Sequence, residues 1–284
     1  MKVLRTTHEL KVYLKKARQK TRSVGFVPTM GYLHEGHLSL ARRAKKENDV
    51  VVVSIFVNPL QFGPQEDLRR YPRNLARDKK LLKREGVDFL FKPDVKNFYL
   101  PDFETAVTVK HLSEPLCGRA RPTHFGGVCA VVLKLLNSVM PDAMYLGQKD
   151  YQQFRVLSQM VKDLDFPTDV RMCPIVRELD GLAMSSRNVF LTRCERAEAP
   201  VLRRILQMAA RLIQNGSRES GRVRKAALLA LKKAAHARPD YLEIVDADTL
   251  RPMVKLTPGK RVLIAGAVVF GKTRLIDNIL IKAR

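Results

Sequence analysis

A chain of 284 residues is long enough for one large domain or two, and 45% hydrophobic with 28% charged residues is the balance of a packed globular protein, which excludes disordered and collagen-like classes. The longest apolar run, Val50 to Val57 with Ser54 inside it, is far short of the roughly 20 residues needed to span a bilayer. The 52 Lys and Arg against 28 Asp and Glu give a net charge of +24, which raises nucleic-acid binding as a rival function that has to be weighed by how the charge is distributed.

The N-terminal segment MKVLRTTHELKVYLKK interrupts every apolar stretch with charge, so it has no signal-peptide core, and a cytoplasmic protein is expected. Thr6-Thr7-His8-Glu9 reads as a capping box opening a helix to about Lys20, and Val24 to Met30 reads as a strand. The loop Gly31 to Gly36 leads into a helix ending near Glu47. Val50 to Val57 is what a strand buried on both faces looks like, which completes a βαβ unit. Asn74 to Glu85 is amphipathic and stops at Gly86, after which Val87 to Phe91 is the next strand. Thr105 to Lys110 is β-branched and is expected as a strand outside this alternation. Val128 to Val139 reads as a helix, Ala143 to Leu146 as a short buried strand, Lys149 to Lys162 as a helix and Asp169 to Cys173 as a strand. The order predicts an α/β fold, a Rossmann-like doubly wound parallel sheet, over residues 1–176.

Beyond Val176 two long basic amphipathic helices are expected, the first opened by a second capping box at Thr192-x-x-Glu195 and the two separated by Asn215-Gly216-Ser217. Tyr241 to Val245 and Arg261 to Val269 then read as strands, so residues 177–284 form a smaller C-terminal α+β domain. Its last strand runs into Gly266-Ala267-Val268-Val269-Phe270-Gly271-Lys272-Thr273, which satisfies the P-loop pattern G-x-x-x-x-G-K-[ST] in full. The four intervening residues are apolar and mostly strand formers, and a P-loop domain needs further strands and a Mg²⁺-supporting Asp after this point. A strand ending in a turn is the expectation.

Basic charge is spread along the chain. Residues 177–284 hold 22 basic and 10 acidic side chains, leaving 30 and 18 for the remainder, which is +12 in each part. Doublets such as Arg42-Arg43, Lys45-Lys46, Arg69-Arg70 and Lys79-Lys80 alternate with apolar residues at helical spacing, as on solvated helix faces, and this disfavours nucleic acid as a partner. Cys117, Cys129, Cys173 and Cys194 contain no C-x-x-C pair, so reduced, packed thiols are expected and a structural metal is not.

Ligands of open α/β sheets bind beyond the carboxyl ends of the strands, and those ends are rich in polar residues here. The first strand ends in Pro28-Thr29-Met30-Gly31, followed by His34-Glu35-Gly36-His37 at a helix start. Two imidazoles three residues apart beside free helix N–H groups suit phosphate; a zinc pair and two plainly exposed histidines are the alternatives. The buried strand runs into Asn58-Pro59-Leu60-Gln61-Phe62-Gly63, where Gln61 can present a donor and an acceptor to a small hydroxy acid or simply stabilise the turn. Gly147-Gln148-Lys149-Asp150-Tyr151-Gln152-Gln153 follows a further strand: glycine admits a ligand to the backbone, Lys149 reaches phosphate and Asp150 accepts from ribose hydroxyls. Met184-Ser185-Ser186-Arg187-Asn188 follows the turn Asp180-Gly181 and offers two hydroxyls and a guanidinium, either as phosphate ligands or as a capping segment.

These motifs, in this order and across nearly the whole chain, resemble the pantothenate synthetase (pantoate–β-alanine ligase) family of the nucleotidyltransferase superfamily, which also contains class I aminoacyl-tRNA synthetases. Glu66-Asp67, Tyr71-Pro72-Arg73 and Thr273-Arg274-Leu275-Ile276-Asp277-Asn278 add to the resemblance. It implies an AMP-forming ligase using Mg²⁺ with ATP as co-substrate. Pantoate would attack the α-phosphorus to give pantoyl adenylate and pyrophosphate, and the β-alanine amine would then displace AMP. It implies catalytic roles for His34, His37, Lys149, Ser185, Ser186 and Arg187, and ATP contacts from Pro28, Thr29, Met30, Gly147, Gln148, Lys149, Asp150, Val176 and Met184 to Arg187. Gln61, Gln153 and Met30 would hold pantoate, and Asp78 is carried over for metal. A homodimer, and a second domain acting as a lid that brings Met184 to Asn188 over the phosphates, are also implied. The chain departs from the family pattern at Thr123, where Gly is usual, and at Gly126, where Arg is frequent, which leaves the loop geometry around His124 open.

Overall fold

The computed structural model describes residues 1–64 and 66–284, and these divide into two compact units. The first comprises Met1–Lys110, Arg121–Gln148 and Gln153–Pro174; the second comprises His111–Ala120, Lys149–Gln152 and Ile175–Arg284.

In the first unit a short strand β1 (Lys2–Leu4) precedes α1 (Thr7–Arg18), and the Thr6 hydroxyl accepts from Glu9 N while the Glu9 carboxylate accepts from Thr6 N, closing the expected capping box. The chain continues through β2 (Val24–Thr29), α2 (Glu35–Glu47), β3 (Val50–Ile55), α3 (Leu75–Arg84), β4 (Phe89–Phe91) and the single turn α4 (Val95–Phe98). After the short α5 (Cys117–Ala120), which belongs to the second unit, come α6 (His124–Val139), β5 (Ala143–Gly147), α7 (Tyr151–Asp163) and β6 (Asp169–Cys173). The six strands form one parallel sheet in the order β1-β4-β3-β2-β5-β6. From β2 the chain winds outward through β3 to β4 on one side and later through β5 to β6 on the other. The strand order therefore reverses between β2 and β5, the switch point at which such sheets bind ligands.

Every residue of β3 is buried, as its unbroken apolar run requires for a central parallel strand. Leu38, Ala41 and Ala44 of α2 pack with Val27, Val51, Val53, Tyr145 and Cys173 in one core cluster. Gly86, at φ +70°, ends α3 as the sequence suggests, because the left-handed turn costs glycine no Cβ clash.

The second unit continues with α8 (Arg193–Glu198), α9 (Val201–Gln214), α10 (Ser220–Leu231) and three strands, β7 (Ala237–Asp246), β8 (Arg261–Phe270) and β9 (Thr273–Lys282). The strands form an antiparallel sheet in chain order. Leu202, Leu206, Ala209 and Ile213 of α9 share a core with Leu242, Ile264, Val268 and Leu275 of that sheet. The helices are close to it: a Cβ at Gly266 would stand 2.9 Å from Leu202 Cδ1.

Several expectations are corrected. Thr105–Lys110 joins no strand, and most of its side chains are exposed, so β-branched residues there lack a ladder to pair with. The helix opened by Thr192 and Glu195 is not continuous: its capping box forms, but α8 stops at Glu198 and Pro200, with no N–H to donate, separates it from α9. Helix α6 begins at His124, four residues ahead of the expected start. Cys117, Cys129 and Cys173 are buried, but Cys194 is exposed. The P-loop-like string is a β-hairpin: Phe270 pairs with Thr273 across the turn Gly271-Lys272, and the sequence reading missed β9, the strand that follows. Among the described residues no helix is long and apolar enough to cross a membrane.

Candidate active site

In the first unit the polar groups gather beyond the carboxyl ends of β2 and β3. Thr29 Oγ1 donates to the Ser54 carbonyl at 2.7 Å and accepts from Gly31 N at 3.1 Å, turning the chain as it leaves the sheet. Gly31 has φ +81°, and a Cβ there would meet Ile55 Cγ2 at 2.8 Å and Asp78 Oδ2 at 3.1 Å. The next two backbone N–H groups are captured by Asp78 of α3: Tyr32 N donates to Oδ2 and Leu33 N to Oδ1, both at 2.8 Å. Burial pushes the Asp78 carboxyl above its ordinary range, and the two backbone bonds pull in the opposite direction. Both oxygens of the residue carried over for metal are thus engaged in holding the loop that leads to His34.

His34 precedes α2 and His37 lies in its first turn. Their ring centroids are 4.1 Å apart, and His37 Nδ1 accepts from His34 N at 3.4 Å. The sequence spacing therefore does bring the two imidazoles together, at a helix end whose free N–H groups favour an anion.

Gln61 is buried in a short 3₁₀ turn, Pro59–Gln61, that follows β3. Its Nε2 points at Met30 Sδ, 3.0 Å away, and its Oε1 accepts from Asn58 Nδ2 at 3.2 Å. Its backbone carbonyl accepts from Arg121 Nη2 and lies 2.9 Å from His124 Nδ1. Arg121 also forks onto Glu66; burial raises the Glu66 carboxyl, and the Arg121 bonds and charge outweigh that and hold it below its usual value. The turn is pressed against α6, where a Cβ at Gly127 would fall 2.2 Å from the Leu60 carbonyl oxygen. The departures at Thr123 and Gly126 leave this packing intact: Thr123 makes no side-chain cap, and a Cβ at Gly126 would be 3.8 Å from Val107 O. Gln153 is half-buried on α7. A Cβ at Gly147 would meet open space, so the backbone at the end of β5 is accessible.

The second unit gathers the other set. Lys149 Nζ lies 3.6 Å from Asp150 Oδ2, and the Lys149 carbonyl accepts from Asn278 Nδ2 at 3.0 Å. Lys149, Ala183, Ser185, Arg203, Ile276 and Asp277 line one cleft. Ser185 caps the short turn Ser186–Phe190, its hydroxyl accepting from Arg187 N at 3.3 Å, and Ser186 is buried. Met184 N donates to the Val176 carbonyl at 3.1 Å and Arg177 bridges Ala183, so residues 176–184 form a small hairpin.

That hairpin is fixed by charge. Arg177 clamps the buried Asp277 through both guanidinium ends at 2.7 and 2.9 Å, and Arg196 pairs with Glu178 and Asp180. Asn188 Nδ2 ties the loop back to Glu178 at 2.8 Å. Asp277 and Asn278 entered the sequence reading only as part of a resemblance. Their function of bracing the Arg177 hairpin and the Lys149 backbone involves partners 100 and 129 residues away, which no local pattern reveals. Asn58 has no role of its own in the sequence motif over residues 58–63, although its amide sets the orientation of Gln61.

Among the described residues no group of three or more His, Cys, Asp or Glu could hold a metal ion.

Residues 2–280 match the family model described as Pantoate-beta-alanine ligase. Pantothenate synthetase of Thermotoga neapolitana is 54% identical over 281 residues, covering 99% of this chain and all of the relative, and that of Caldicellulosiruptor saccharolyticus is 52% identical over 282 residues, covering 99% and 100%. The crystal structure of pantothenate synthetase from Thermus thermophilus superposes with a TM-score of 0.91 at 47% identity, covering 98% of this chain and 99% of that one. A pantoate-beta-alanine ligase from Francisella tularensis, solved in complex with Beta-gamma ATP and Beta-alanine, gives a TM-score of 0.80 at 36% identity, covering 99% and 97%.

Proposed function

The chain belongs to the pantoate-beta-alanine ligase family, and on that premise we propose that it joins pantoate to β-alanine in two steps driven by ATP. In the first, a pantoate carboxylate oxygen attacks the α-phosphorus, the bond to the bridging oxygen breaks, and pyrophosphate leaves with that electron pair. In the second, the unprotonated β-alanine amine attacks the acyl carbon of pantoyl adenylate, AMP departs, and the nitrogen loses a proton to give the amide of pantothenate.

The observation that carries this reading is the close, tilted His34–His37 pair at the N-terminus of α2, beside the switch point of a parallel sheet. Negative charge grows on the phosphates in the first step, and donors fixed in advance stabilise it without reorganisation. His34 and His37 from the first unit, and Lys149, Ser185, Ser186 and Arg187 from the second, are assigned to the triphosphate. Pro28, Thr29, Met30, Gly147, Gln148, Asp150, Val176 and Met184 are assigned to the rest of ATP, and Gln61, Gln153 and Met30 to pantoate. Mg²⁺ would enter with the nucleotide and shield its phosphates. Asp78 is reassigned from metal to positioning, because its oxygens hold Tyr32 N and Leu33 N. The family likeness supports a homodimer, which sedimentation would check, and a cytoplasmic enzyme.

Pantoate-dependent exchange of labelled pyrophosphate into ATP, with Mg²⁺ and without β-alanine, tests the mechanism. Exchange that requires pantoate is expected; its absence from folded protein that still binds ATP would sink the adenylate route.

A further inference from the structure

The amide of Gln61 has a fixed polarity, and the residue that completes its fixing lies outside every group assigned above. Asn58 is almost wholly buried between the two. Its Oδ1 accepts from Leu60 N at 3.3 Å, and its Nδ2 donates to the Gly127 carbonyl at 2.9 Å. A backbone N–H can only donate and a carbonyl can only accept, so the Asn58 amide has one permitted orientation. Two consequences follow from that orientation. Asn58 Nδ2 faces Gln61 Oε1, leaving Gln61 Nε2 as the end turned outward toward Met30. On the other side, the hydroxyl that approaches Asn58 Oδ1 at 3.0 Å has to donate, and it belongs to Tyr99.

Tyr99 is itself firmly held. Its ring lies 5.0 Å from Phe103, 5.3 Å from Phe98 and 5.9 Å from Phe56, centroid to centroid. The Lys134 ammonium from α6 sits over three of these rings, 5.1 Å from Phe98, 5.2 Å from Phe103 and 5.8 Å from Tyr99. Burial also raises the Tyr99 hydroxyl far above its ordinary range, so it keeps the proton it donates.

We propose that Tyr99 is a positioning residue for the acid substrate: its hydroxyl anchors Asn58, and Asn58 holds Gln61 so that Nε2 is presented to an acceptor oxygen of a hydroxy acid. The inference rests on the assignment of Gln61 to pantoate. It also specifies that contact, since Gln61 meets the acid as a donor. Removing the hydroxyl leaves Asn58 Oδ1 with the longer Leu60 bond alone, and the amide pair loosens at the acid end of the site while the phosphate donors stay in place.

The test is steady-state kinetics on the full-length protein, comparing wild type, Tyr99→Phe and Lys134→Met, with Tm recorded for each. For Tyr99→Phe we expect the KM for pantoate to rise about 3–10-fold, as loss of one buried hydrogen bond implies, with the KM for ATP within about twofold and kcat within about threefold of wild type. Lys134→Met weakens the aromatic cluster but keeps the hydroxyl, so its Tm falls while its KM for pantoate stays at the wild-type value. An unchanged pantoate KM in Tyr99→Phe overturns the proposal. So does an equal rise for ATP, or the same rise in Lys134→Met, since either would trace the effect to packing. Wild type without pantoate-dependent turnover would instead overturn the functional reading beneath it.

Discussion

Two loops, one in each unit, are held by different physics. The segment Gly31–His34 of the first unit is fixed by largely buried hydrogen bonds to backbone: Thr29 turns the chain and Asp78, from far along the sequence, captures two successive N–H groups. The segment Val176–Asn188 of the second unit is fixed by guanidinium–carboxylate pairs, Arg177 with Asp277 and Arg196 with Glu178 and Asp180. A buried carboxylate serving N–H groups cannot be exchanged for solvent without losing both bonds, whereas the outer pairs of the second loop compete with water and salt. The first arrangement suits a loop that must hold one geometry; the second suits a segment that tolerates adjustment.

The comparison can be tested hardest at the pair of the second loop whose carboxylate is buried, Arg177 with Asp277. Asp277→Ala leaves Arg177 with the Gly181 carbonyl but no carboxylate and is expected to destabilise the protein by about 3 kcal/mol, read from urea unfolding; a loss under about 1 kcal/mol would mean the hairpin does not depend on that pair. If His37 donates to phosphate as proposed, His37→Ala should lower turnover by on the order of 10²–10³-fold with folding intact, by analogy with losing one oxyanion donor. Wild-type turnover in that variant would withdraw His37 from the chemistry. Asp78→Asn puts an NH₂ group where an N–H must be accepted, and should cost about 1–3 kcal/mol; circular-dichroism melts would measure it, and an unchanged melt would contradict the capture of Tyr32 and Leu33.

The smallest effect tests whether the first unit is free of charge-based fixing. Glu47, at the end of α2, is held down to about 2, mainly by its bond from Arg43; burial opposes the shift, and Arg171 and Tyr145 add to it. A depressed carboxyl stabilises the fold fully above its ordinary value of 4.5, and that stability is lost as pH falls from about 4.5 toward 2. Wild type should therefore lose more Tm across that window than Glu47→Gln, a few degrees at most because the group is partly exposed. Parallel curves would show that this network contributes nothing.

Most of the sheet of the first unit was readable because its central strands are short apolar runs between polar ends, with β3 the clearest, whereas the three-residue edge strand β1 was too short to show a pattern. The strand β9 was not readable, because Asp277 and Asn278 put polar side chains at buried positions where a strand pattern needs apolar ones. Thr105–Lys110 shows the opposite failure: β-branched residues without a pairing partner do not make a strand. The residues proposed for the chemistry at strand ends, His34, His37, Gln61 and Lys149, stood out by type and place. The residues that brace them did not: Asp78 reaches Leu33 across 45 positions and Tyr99 reaches Asn58 across 41, so their partnership exists only once the chain is folded.

The hairpin at Gly271-Lys272 has a further bearing on how chains are sorted by pattern. Every letter of a nucleotide-cradle signature is present in it, yet Gly266 is small so that Leu202 can approach, and Gly271, at φ +56°, accommodates a bend beside Glu195. A text search for that signature would send the nucleotide to a β-turn far along the chain from His34 and His37. Spelling constrains a phosphate site only after strand pairing has claimed its share of the letters.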